Sequence, residues 1–242
     1  MARYFLAAHV FYCMTESHAV FLDLKRDAYS ALERREAEAL GACVRGWPRT
    51  ARPRPGVSRE PIAPSDLIAA LENMLAAGLL TADESRGKDA KPVALQPASA
   101  AISIAAPQPP AGPRDLQRFI GAWIRTTWML RVSGLERAVQ RVRERSQKAG
   151  WYRDDDCFDA ATVARLLAIY LDWQPFAFSA IDACLRNSLT LIEFLTRYRI
   201  YPTWVFGVRT EPFAAHSWVQ QGSLVLNDTV EHVRAYTPIM VI

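Results

Sequence analysis

Residues 82–113 carry six prolines among alanine, serine, glutamine and lysine. Proline fixes φ and removes a backbone donor, so this run sustains neither a helix nor an inner strand. Its composition cannot bury a core, and it reads as an extended linker between residues 1–81 and residues 114–242. The 242 residues, half of them apolar, suffice for one small and one medium domain. No apolar run reaches the roughly 18 residues that a membrane span needs. Tyr4 to Met14 follows Arg3 and mimics a signal sequence. It is interrupted by Tyr4, His9, Tyr12 and Cys13 and lacks a small-x-small cleavage site, so it reads as a first strand. Cys13, Cys43, Cys157 and Cys184 lie far apart without a CxxC, and the four histidines are scattered. That pattern argues against a disulfide framework and against a metal site. Reduced thiols suit a cytoplasmic protein.

In the first part, residues 3–13, 19–24 and 28–32 read as three strands, and Glu33 to about Val44 as a helix. Prolines 48, 53, 55, 61 and 64 mark a loop. A second helix is expected from Ser65 as N-cap, with Leu67, Leu71, Met74, Leu75 and Leu79 at helical spacing and Gly78 near its end. From Arg114 the pattern turns helical. Leu116, Phe119, Ile120, Trp123, Thr127 and Leu130 share one face of a first helix. Leu135, Ala138, Val139 and Val142 share one face of a second, whose arginines 137, 141, 143 and 145, with Lys148, read as its solvated side rather than as a nucleic-acid surface. Asp159 caps a third helix, with Val163, Leu166, Leu167, Tyr170 and Leu171 facing inward. A fourth spans 183–197, with Leu185, Leu189, Ile192 and Leu195 buried. Beyond Pro202 the period becomes two, with strands in WVFGV, AAHSWVQ and SLVLN. Helices followed by antiparallel strands give an α+β class.

Cys184 falls in the first turn of the fourth helix, where unpaired N–H groups and the positive dipole end favour a thiolate. His216 follows in AAHSWVQ, and Asp228 closes the next strand. A three-residue loop at 220–222, with Gly222 left-handed, would pair Val219 with Ser223. It would set Asp228 diagonal to His216 on one face, whereas a two-residue loop would place Asp228 on the wrong face. In this reading His216 takes the thiol proton or pairs with the thiolate, then protonates a leaving amine. Asp228 fixes the imidazole tautomer, and the Cys184 N–H serves an oxyanion hole, with Gln174 a candidate second donor. The order Cys, His, Asp is that of papain-like and transglutaminase-like folds.

The segment CLRNSLTLIEFLTRYRIYPTWVFGVRTEPFAAHSWVQQGSLVLND closely resembles the peptidase domain of lasso-peptide biosynthesis B proteins. The resemblance rests on Cys184–Leu189, Gly207–Arg209, Pro212–Val219 and Leu226–Asp228, and departs from the family where Gln174-Pro175 replaces an Arg-Pro pair. VFLDLKRDAYSAL resembles the leader-recognition element of the same family, a winged-helix-type module of three strands plus helices. The resemblance implies that Ala28, Tyr29, Ser30, Ala31 and Leu32 form an edge strand that binds the leader of a ribosomal precursor peptide by strand addition. It further implies that the Cys184–His216–Asp228 triad hydrolyses the leader–core amide, and that an ATP-dependent, asparagine-synthetase-like macrolactam synthetase acts as partner. No cofactor, nucleic acid or membrane is implied, and no phosphate-binding loop is present. An acyltransferase using the same triad and a non-catalytic precursor escort are the alternatives.

Overall fold

The computed structural model describes residues 4–48, 63–104, 111–150, 159–177 and 183–242. Most of the proline loop, part of the proline-rich run and Cys157 lie outside them. The chain clusters into two compact units, Met1–Ala94 with Val208–Ala214, and Leu95–Gly207 with Ala215–Ile242. Among the described residues, no helix is long and apolar enough to cross a membrane.

The first unit is strand-rich. Its expected first strand is two, β1 (Phe5–Ala7) and β2 (Val10–Met14), because the chain turns at Ala8 and His9. β2, β3 (His18–Asp23) and β4 (Ala28–Glu33) form an antiparallel meander, with Val10 opposite Asp23 and Asp23 opposite Ala28. The β3–β4 turn is an Asx turn: Asp23 Oδ1 accepts from the N–H groups of Lys25 and Arg26. Among the described residues, β4 ends this sheet with no strand on its outer side, and it is exposed or half-buried along its length. α1 (Arg34–Ala39) and α2 (Pro64–Ala76) follow. α2 begins one residue before the expected N-cap, because Pro64 suits the first helical position. It ends in a Schellman turn in which left-handed Gly78 lets the Leu79 N–H reach Met74 O.

Among its described residues, the proline-rich run is not free of the folded units. β5 (Leu80–Thr81) and β6 (Gly87–Lys88) flank β1 in a second three-stranded sheet. A Cβ on Gly87 would lie 2.4 Å from Phe5 Cβ, so only glycine allows that approach. Fully buried Ala90 accepts the Tyr12 hydroxyl at 3.1 Å, beside a Tyr12–Trp47 stack. Further on, within the second unit, β7 (Ala100–Ala101) pairs in parallel with β10 (Leu224–Val225), and Ala98 is buried under the Arg234 guanidinium. Backbone pairing and two small alanines dock a segment whose composition offers little side-chain area.

In the second unit, α3 (Pro113–Trp128) runs through a π-helical stretch, Met129–Ser133, into α4 (Gly134–Ala149). The buried face of α3 is Asp115, Phe119, Ala122 and Thr126, rotated from the expected one, and Ile120 is exposed. A polar anchor accounts for the rotation. The Tyr198 hydroxyl donates to Asp115 at 2.5 Å and is the main influence holding that carboxyl below its usual range. α4 buries the four residues expected of it. α5 (Ala160–Ala177) starts from the Asp159 cap, with Leu171 exposed rather than inward. α6 (Ala183–Thr196) is the central helix, buried on every side from Ser188 to Leu195. Each fully buried Leu or Phe there contributes about 1.5–3 kcal/mol. The sheet order is β11-β8-β9-β10-β7, from β8 (Thr203–Thr210), β9 (Phe213–Gln221) and β11 (Thr237–Val241). β11 carried no expectation from the sequence. A short helix, α7 (Val230–Arg234), precedes it, capped by Thr229.

Candidate active site

Cys184 sits in the first turn of α6, half-buried, and His216 projects from β9. The Cys184 thiol is hydrogen-bonded to His216 and approached by the backbone N–H groups of Ser217 and Leu185. The bond to His216 is the main cause of a thiol pKa below its ordinary value; burial opposes it. His216 Nε2–H donates to Asp228 Oδ2 at 2.5 Å, which leaves Nδ1 for the thiol. Burial alone would lower the His216 pKa, but the bonds to Asp228 and Cys184 outweigh it and raise it to about 9. For Asp228, too, burial is the largest influence. It is overcome by donors from His216, His232 and the Thr229 N–H, and the carboxyl lies below its usual range. At neutral pH these directions favour a thiolate beside an imidazolium.

The three residues meet, but not through the expected turn. The hairpin has a two-residue turn, Gly222–Ser223, with Gly222 left-handed. Gln221 lies opposite Leu224 and Gln220 opposite Val225, so partner numbers add to 445 rather than 442. Continued, that register would put Asp228 opposite Ser217, on the face away from His216. The chain instead leaves the ladder after Leu226. Leu226 N–H still donates to Val219 O, but the Val219 N–H is taken by the Asn227 side chain at 2.8 Å. The bend over 226–228 then swings Asp228 back to His216. Asn227 Nδ2 also donates to buried Ser188 Oγ at 3.1 Å, and Ser188 donates to Ser217 O at 2.8 Å. Ser188 and Asn227 thus tie α6, β9 and the bend together, a role the sequence motifs contained without revealing.

His232 was not foreseen. Four residues after Asp228 on α7, its Nδ1–H donates to Asp228 at 2.9 and 3.0 Å, and its ring lies 4.7 Å from that of His216. The signal was legible in principle, because a helix capped by Thr229 brings i and i+4 side chains together. His216, Asp228 and His232 offer donor atoms within 4.8 Å of one another, a spacing that suits a metal ion. Two ring N–H groups on one carboxylate account for the same spacing by hydrogen bonding. Gln174, the candidate second donor, lies on α5, and residues 178–182 before α6 lie outside the described ones. Of the other thiols, Cys13 is buried, and burial pushes its pKa up to about 12.

A thiol on a helix, a histidine on a strand and a carboxylate in the bend that follows the next strand are joined here, and residues 122–241 match the transglutaminase-like superfamily. They form a transglutaminase-like domain. The superfamily includes cysteine peptidases and acyltransferases, and this domain is consistent with a cysteine-protease-type enzyme. Neither the curated proteins nor the solved structures searched offer a match to the chain.

Proposed function

We propose that the transglutaminase-like domain is a cysteine peptidase that removes the leader from a ribosomally made lasso precursor, with Cys184 as nucleophile. The observation that carries this reading is the hydrogen-bonded series Cys184, His216, Asp228, with the thiol pKa lowered and the imidazole pKa raised. The Cys184 thiolate attacks the carbonyl before the scissile bond, and N–H groups of the α6 first turn receive the developing oxyanion. His216 gives its proton to the leaving amine as the acyl-enzyme forms. It then takes a proton from water, whose oxygen attacks the acyl carbon, releasing the leader acid and restoring the Cys184 thiolate beside the His216 imidazolium. Asp228 holds the ring throughout.

The first unit would hold the leader as an added strand on β4. Supporting this are the terminal place of β4 in its sheet among the described residues and the half-buried side chains of Tyr29 and Leu32 between exposed Ala28, Ser30 and Ala31. Tyr29 already lies edge-on to Phe213, which clusters with this unit, so a docking leader would meet an aromatic pair. The partner would be an ATP-dependent, asparagine-synthetase-like macrolactam synthetase in the cytoplasm. The test is to incubate a precursor peptide with the wild type and with Cys184→Ala and to weigh the products. Release of free leader and core by the wild type alone supports the reading. Cleavage by both proteins sinks it, and an amide adduct in place of a leader acid makes the enzyme an acyltransferase.

A further inference from the structure

A cavity lies at the far end of α6. Its volume is about 840 Å³, and it is lined by Arg125, Arg145, Lys148, Arg197 and Arg199, with Glu193, Tyr201 and two small residues. The nearest catalytic group is Cys184, some 12 residues back along the helix from Thr196, or about 18 Å. The cavity is therefore separate from the catalytic centre.

Five cations and one carboxylate line it. Glu193, 3% exposed, is held by Arg145 at 2.5 Å and by Arg125 Nε at 3.2 Å. Each of those guanidiniums carries five N–H donors, and one nitrogen of each meets Glu193. Lys148, Arg197 and Arg199 have no carboxylate partner among the described residues. Like charges around a concave wall focus a positive potential that an anion relieves.

Two local features add to this. Arg199 has φ +63, at the left-handed position that ends α6, where the Ile200 N–H returns to Leu195 O. Glycine is the unstrained residue at such a position, yet an arginine is held there. Gly121, inside α3, is the other. A Cβ there would lie 3.1 Å from the Arg197 guanidinium, so the glycine leaves that side chain its place along the helix.

We propose that this cavity binds a small phosphorylated molecule bearing at least two phosphate charges. Arginine forks match phosphate oxygens two at a time. The volume suits a ligand larger than one phosphate and falls in the usual range for small-molecule sites. That volume favours a compact ligand over a nucleic-acid strand, which tracks an extended groove.

The test is calorimetric titration of the whole protein with inorganic pyrophosphate and, separately, with a nucleoside triphosphate. One pyrophosphate per chain is expected, weakened by added salt. A tighter nucleoside triphosphate would show that the base is also read. Lys148→Glu should weaken binding by about tenfold or more, the worth of one charge-assisted bond. Arg199→Gly should weaken it similarly while leaving the melting temperature unchanged or raised, since it relieves the left-handed strain. Binding that either variant leaves intact overturns the proposal, as does no heat at millimolar pyrophosphate. Binding of an oligonucleotide without pyrophosphate binding overturns it too.

Discussion

Asp228→Asn removes the charge that keeps His216 protonated while leaving an oxygen to accept from it. Burial pulls the His216 pKa down, and Asp228 and Cys184 together carry it from 6.5 to about 9. The rise, which must also offset burial, comes from carboxylate and thiolate together, so losing Asp228 alone should lower the His216 pKa by about 1–2 pH units. The assay is the pH profile of kcat/KM for cleavage of a leader–core peptide. Its acid limb reports the thiol and its alkaline limb the imidazolium that protonates the leaving amine. In the wild type the alkaline limb should lie near 9, since activity is present below the raised pKa and lost as pH climbs through it. In the variant the limb should move down by about 1–2 pH units and the plateau should fall at least about 100-fold. An alkaline limb that stays near 9 in Asp228→Asn would refute the claim that this carboxylate holds the imidazolium.

Three further outcomes follow from the same geometry. Iodoacetamide should alkylate Cys184 well below pH 8 and leave Cys13 untouched, which peptide mapping would read; equal rates would contradict a selectively lowered Cys184 thiol. Ser188→Ala strands the Ser217 carbonyl and the Asn227 amide in a buried site, and should cost about 1–3 kcal/mol in denaturant unfolding together with lost activity. His232→Ala should lower kcat/KM about fivefold, the worth of one hydrogen bond, while the alkaline limb stays near 9; a limb that collapses instead would make His232 the principal support of the ion pair.

The residues that carry the proposed chemistry were legible because their types and order leave few alternatives, and the apolar face of α4 because strict periodicity does. The face of α3 was misread because apolar spacing cannot register a carboxylate that a distant tyrosine draws inward, as Tyr198 does with Asp115. The proline-rich run was judged by the area its side chains could bury. Its docking instead depends on backbone pairing, on Gly87 and on Ala90 and Ala98, for which composition carries no signal. His232 was missed because the ordering of α7 depends on a single threonine cap.

The turn was misread for a more instructive reason: it was inferred by assuming that Asp228 stays in the strand. With partners adding to 445, a strand continued past Leu226 would place Thr229 opposite His216 and Asp228 opposite Ser217. The two-residue turn therefore does point Asp228 the wrong way, and the bend corrects it. The bend persists because the Asn227 carboxamide takes the Val219 N–H that the Leu226 carbonyl would otherwise accept. Leaving the ladder also starts α7 early enough for His232 to reach the same carboxylate. Asn227→Val removes that acceptor and supplies a good strand former, so the ladder should run on and carry Asp228 off His216. Stability should fall by only about 1–2 kcal/mol, since the lost side-chain bonds are partly replaced by a backbone one. The pH profile should nevertheless resemble that of Asp228→Asn, with a lowered alkaline limb, although the aspartate is intact. An Asn227→Val enzyme whose alkaline limb remains near 9 would mean that the bend is set elsewhere in the chain.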